Sequence, residues 1–179
     1  VLNIADAANV TAGGTIPSAS MQRSKIQATF GLGTNPSGAV RLAAANLNSD
    51  ATDELIVVSS SIGSATGGNR IAIMTSNLSD STIATAASPF SVANGISFAI
   101  LGTGSNPSGN IYVSAANMDD DAQAEVILGR GEGAANEVLV YDVDLTQAGS
   151  AAFTLKSKFT TYSTNTAGGT FVAGGLFAK

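Results

Sequence analysis

The chain has 179 residues and a net charge of −5, and it is 44% hydrophobic but only 12% charged, about half the charged fraction of an ordinary globular protein. It has no cysteine and no histidine, which excludes disulfide staples, thiolate ligands and a Ser-His-Asp triad and removes the commonest general base. Its eight Lys and Arg residues are scattered, which argues against nucleic acid as a partner, and no apolar run approaches the ~20 residues of a membrane span.

Twenty glycines among many Ser, Thr, Ala and Asn residues predict an all-β protein rich in turns. The chain opens on Val1 rather than Met, the expectation for a processed form or a fragment. "VLNIAD" and "KIQATFGLG" near the N-terminus read as the end of a structural unit. "NPSG" at residues 35–38 is a turn, with Pro setting φ at its second position and Gly closing it. Short apolar runs follow at Val40 to Ala45 and Leu55 to Val58, separated by the polar stretch "NLNSDATDE". A Gly-rich connection leads to a third run, Arg70 to Met74, and a fourth candidate lies at Ile96 to Ile100.

The same series then recurs: "NPSG" at residues 106–109, a run from Ile111 to Ala116, the loop "NMDDDAQAE", Val126 to Leu128, glycines from Gly129 to Gly133, the alternating "EVLVYDV", and Phe153 to Tyr162. Two landmarks share one offset, 106 − 35 = 71 and 117 − 46 = 71, so the chain contains a duplicated unit. Runs this short, rich in Val and Ile and bounded by Gly, Asn and Ser, are strands, and no capped helical period is visible. Each unit thus holds about four antiparallel strands in about 70 residues, the description of a propeller blade. The expected organisation is the end of a partial blade at 1–32, blades at 33–101 and 102–162, and the first strand of a further blade at 163–179.

Loop, apolar strand, Gly-rich turn and a strand ending in aromatic-Asp, as in "VSAANMDDDAQAEVILGRGEGAANEVLVYDVD", resemble the FG-GAP/VCBS repeats of integrin-like β-propellers, whose loop has the form D-x-D-x-D-G-x-x-D. The resemblance covers residues ~30 to 179. It implies a propeller fold, calcium in the blade loops, and a binding or adhesion role outside the cell. The chain departs from the family at the sixth loop position, where glycine is replaced by Ala51 and Ala122, and at the first and ninth positions, which are Asn and Glu. The third copy has Gly175 where Asn46 and Asn117 fall.

Calcium takes six to eight hard oxygens. Carried onto this chain, the family loop gives Asn46, Asn48, Asp50, the carbonyl of Thr52 and Glu54, and then Asn117, Asp119, Asp121, the carbonyl of Gln123 and Glu125. Seven of the 13 acidic residues lie in these two windows, where like charges repel unless a cation relieves them. The alternative is an ion-free Asx turn, which Asn and Asp favour on their own. Three carboxylates against two predict tighter binding by the second loop. The lost glycine is expected to weaken both, since that turn favours φ > 0.

"GRGEGAAN" at 129–136 precedes an alternating strand rather than a helix, so it reads as a blade turn and not a phosphate loop. Sequon matches at Asn9 and Asn77 are common by chance in such a composition. Phe30, Phe98, Phe153, Phe159, Tyr162 and Phe171 are mostly core candidates, with an aromatic sugar platform as the alternative. A propeller closes with about four to eight blades, whereas two and a half would leave edges open to pairing. Functionally, then, the reading is a non-catalytic, calcium-stabilised propeller segment, extracellular or at the cell surface, binding an unidentified protein or glycan or serving structure. Its alternatives are a subunit self-assembling by strand complementation, and a lectin or polysaccharide-active propeller enzyme. The last needs paired carboxylates in a pocket, yet the acids outside the loops are few and scattered.

Overall fold

The computed structural model describes residues 40–59, 69–76, 90–99, 110–119, 121–131, 136–161 and 169–175. These hold eight strands: β1 Val40–Ala45, β2 Glu54–Ser59, β3 Arg70–Ser76, β4 Phe90–Ala99, β5 Ile111–Ala116, β6 Glu125–Arg130, β7 Glu137–Val143 and β8 Phe153–Thr160. They form two four-stranded sheets in the orders β1-β2-β3-β4 and β5-β6-β7-β8, every neighbouring pair antiparallel. The protein is all-β, as the composition led one to expect. The 71-residue offset holds for the first two strands of each sheet (111 − 40 and 125 − 54), then shortens to 67 (137 − 70) and 63 (153 − 90). The duplication is therefore strictest around the acidic loops.

Two local features depart from the expected pattern. β4 begins at Phe90 rather than Ile96, because Asn94 (φ 40°) and Gly95 (φ 70°) lie within the strand as a bulge where its register against β3 shifts. A bulge adds residues to one strand and re-aims it without ending it. Between β7 and β8 a 3₁₀ turn covers Gly149–Ala152, opened by Gly149 at φ 57°.

Strand alternation gives each sheet two faces, and the buried residues show how the sheets stack. Ile56, Val58, Ile71 and Ile73 from the first sheet share one core with Ile111, Val126, Leu128 and Leu139 from the second. Ala43 and Ala45 pack on it from β1, and Val113 and Ala115 from β5. Subtracting 71 from Val113 gives Leu42, which points to the opposite face of β1, beside Val57. The sheets therefore stack face to back, each offering its neighbour a different surface. Val57, Ala72 and Met74 form a second buried cluster on the other face of the first sheet. Arg41 ties the sheets together: its guanidinium donates to the Ile111 carbonyl at 3.2 Å and lies 4.2 Å over the Tyr112 ring, a cation–π contact.

Residues 169–175 lie on the far face of the second sheet. The Thr170 N–H donates to the Arg130 carbonyl at 2.7 Å, the Gly174 N–H to Ser114 Oγ at 2.6 Å, and the Phe171 ring sits 4.0 Å from that of Tyr112. Gly129 and Gly174 allow this approach, since a Cβ on Gly129 would meet the Thr170 carbonyl and one on Gly174 would lie 2.6 Å from that of Ala115. Among the expected core aromatics, Phe153 is half-buried, whereas Phe159 and Phe171 are exposed. Phe159 sits on the outer strand β8, every residue of which after Phe153 is exposed. Residues 1–32, both NPSG turns, the sequon asparagines, Phe30, Tyr162 and the side chain of Phe98 lie outside the described residues.

Candidate metal centre

Each acidic loop joins the first strand of its sheet to the second, so β1–β2 and β5–β6 fix its two ends. The ninth position, Glu54 or Glu125, opens the second strand and is buried, at 2% and 1% exposure. A carboxylate enters such a place only with donors or a cation to receive it. One oxygen is received identically in both loops: Glu54 Oε2 accepts the Leu47 N–H at 2.8 Å, and Glu125 Oε2 accepts that of Met118 at 2.6 Å. Burial, the largest cause, raises the pKa of both carboxyls, and the neighbouring Asp50, or Asp119 and Asp121, raises it further.

The loops also share a backbone scaffold. Asn46 Nδ2 donates to the Asp50 carbonyl, and Asn117 Nδ2 to that of Asp121. Asp50 Oδ1 accepts the Thr52 N–H at 2.6 Å and its hydroxyl at 2.7 Å, which holds the Asp50 carboxyl below the usual carboxylate range. Asp121 Oδ1 likewise accepts the Gln123 N–H at 2.7 Å. Thr52 and Gln123 thus order the fifth-position carboxylate through their N–H groups, a role distinct from the carbonyl donation that the family pattern implies. The left-handed residue of the first loop is Ser49, φ 62°, at the fourth position, and neither Ala51 nor Ala122 has positive φ. The expected penalty for a missing sixth-position glycine therefore does not arise: these alanines are in ordinary backbone.

The third position separates the loops. In the first, Asn48 Nδ2 donates to Asp50 Oδ2 at 2.9 Å and to Glu54 Oε1 at 3.2 Å, so every carboxylate oxygen turned inward has a donor. In the second, the equivalent residue is Asp119, which brings none. Its Oδ1 accepts the Asp121 N–H at 3.3 Å. Carboxylate oxygens of Asp119, Asp121 and Glu125 converge within 4.8 Å of one another, and the buried Glu125 Oε1 has no hydrogen-bond partner among the described residues. Three converging carboxylates, one of which has an orphaned oxygen, suit a hard divalent cation such as calcium.

The reading of the loops alone misses two participants. Lys156 on β8 places Nζ 3.3 Å from Asp119 Oδ2 and 3.0 Å from Asp142 Oδ2, an ammonium at the rim of the acidic cluster. These contacts depend on where β8 lies beside β7, for which local spacing carries no signal. The Ala124 N–H donates to the Asn46 carbonyl at 2.9 Å, so the two loops are joined directly across the sheet interface.

No family model matches the chain, and neither does any curated protein or solved structure.

Proposed function

We infer that this chain is a segment of a calcium-stabilised, integrin-like β-propeller with a non-catalytic structural or binding role outside the cell. The buried, unpartnered Oε1 of Glu125, on a carboxyl that converges with those of Asp119 and Asp121, carries this reading. When bound, the ion supplies the positive charge that joins β5, the loop and the start of β6. Face-to-back stacking of four-stranded sheets supports a propeller, since successive blades pack in this manner. The described carboxylates outside the loops support a non-catalytic role, because each is engaged. Glu137 pairs with Arg130 and Lys158, Asp142 with Lys156, and Asp144 with Thr146. A site with so few charges suits the dissociation constants of extracellular calcium modules, about 10⁻⁴–10⁻³ M. Calorimetric titration of the chelator-treated chain with CaCl₂ is expected to show binding in that range that Asp119→Asn abolishes. An athermal titration accompanied by no calcium-dependent rise in melting temperature would overturn it.

A second reading, self-association, is favoured by the apolar side chain left exposed at the outer loop of the second sheet. Met118 is 59% exposed, whereas Leu47 at the same place in the first loop is 1% exposed in the inter-sheet core.

A further inference from the structure

We propose that the side-chain amide of Asn48 stands in the first loop where the second loop takes its cation, so that calcium loads one loop of the pair and the third loop position decides which. The inference rests on the calcium reading above and specifies how that ion is distributed.

The two loops share three contacts that fix their shape. Both hold the ninth-position carboxylate by the N–H of the second residue, both tie the first-position amide to the fifth carbonyl, and both order the fifth carboxylate by the seventh N–H. At the third position Asn48 spends its two N–H bonds on Asp50 Oδ2 and Glu54 Oε1. One uncharged NH₂ group thereby satisfies the two oxygens that a cation would bridge. Asp119 has no hydrogen to offer, and Glu125 Oε1 is left without a donor. The unpaired atom in one loop and the paired one in the other thus follow from a single change, nitrogen for oxygen.

The orientation of the Asn48 amide follows from its partners. Its Oδ1 accepts the Asp50 N–H at 3.0 Å while its Nδ2 faces two carboxylate oxygens. Rotated by half a turn, the amide would set its oxygen against both carboxylates and its NH₂ against the Asp50 N–H, exchanging three attractive contacts for three repulsive ones. A cation entering this loop would require that rotation, or expulsion of the side chain. It would then find only two carboxylates, and fewer charges give weaker binding.

The test is calcium stoichiometry by calorimetry on the full chain. The expected values are about one ion for the unmodified chain, two for Asn48→Asp, none for Asp119→Asn, and one for the double exchange, now in the first loop. Two ions bound by the unmodified chain, or one still bound by Asn48→Asp, would overturn the role of Asn48 while leaving the calcium reading standing. No ion bound by the unmodified chain would overturn the calcium reading. In that event the role of Asn48 stands if Asn48→Asp gains an ion and falls if it does not. Because Asn48→Asp gathers three carboxylates and its folding can suffer, the unmodified chain supplies a second readout by NMR. At saturating calcium the Asn48 NH₂ signals stay protected from solvent exchange while the Met118 and Gln123 N–H signals shift. Loss of Asn48 protection on adding calcium would overturn the proposal.

Discussion

The position of each donor nitrogen governs the behaviour of these loops, which is why single side chains have opposite effects with and without metal. Glu125 is buried with one oxygen unpaired, and leaving a polar atom so placed costs about 1–3 kcal/mol. Glu125→Gln keeps an oxygen for the Met118 N–H and turns an NH₂ toward Asp119 and Asp121, reproducing what Asn48 does in the first loop. The substitution should raise the stability of the calcium-free chain by about 1 kcal/mol, a melting shift of roughly 2–4 °C, and abolish the calcium-induced stabilisation. Differential scanning calorimetry with and without chelator checks both signs, and a lower melting temperature in chelator refutes the argument. Lys156 acts in the other sense. Its ammonium, 3.3 Å from Asp119 Oδ2, repels an incoming divalent ion from the rim. Lys156→Met should tighten calcium binding about threefold at low ionic strength, and the gain should vanish in high salt, because exposed charges are readily screened. Titrations at two salt concentrations decide it.

Elements were legible in the sequence where local chemistry decides them. β1 and β5 fall on the expected runs because the sequence frames each with NPSG and a polar stretch, and β2 and β6 follow from uninterrupted apolar residues. β4 was only half visible. Asn94-Gly95 has the chemistry of a turn, but pairing with β3 on both sides absorbs it as a bulge, a non-local effect that no short window contains. The loops themselves were legible as oxygen-rich pairs, whereas their inequality was not, since it turns on which way the Asn48 amide faces. The contact between β6 and residues 169–175 was equally hidden. Gly129 reads as part of a Gly-rich turn, yet it lies within β6 opposite Val138. A Cβ there would meet the Thr170 carbonyl and approach Val172 Cγ1 to 2.9 Å. Gly129→Ala should therefore push the segment off the sheet and cost about 1–3 kcal/mol by overpacking. Hydrogen exchange at the Thr170 N–H, now bonded to Arg130, should accelerate, and unchanged protection would show that the segment contributes nothing to holding this face.

At the scale of the whole molecule, face-to-back stacking means that the two outer faces of the pair differ. The first sheet buries one face against the second and turns Leu42 and Val40, 51% and 47% exposed, the other way. On its outer side the second sheet presents Met118, 59% exposed, beyond the end of β5, and Phe171, 74% exposed, against Tyr112 near the start of β5. The two ends are complementary in kind. The first sheet already takes the Val113 side of the second, and Leu42 is the repeat equivalent of Val113. A second copy can therefore set the exposed Leu42 margin of its first sheet against the part of the far face around Met118 that residues 169–175 leave exposed. Such a contact is heterologous, and it closes into a ring or extends as a filament according to the rotation per sheet. The intact chain should show a mass by light scattering that rises with concentration above that of one chain. Met118→Asp or Leu42→Lys, one at each end, should each return it to one chain, because each places a charge in an apolar contact. Mixing the two variants should not restore assembly beyond pairs, since each retains only one competent end. A mass of one chain at all concentrations would exclude self-stacking.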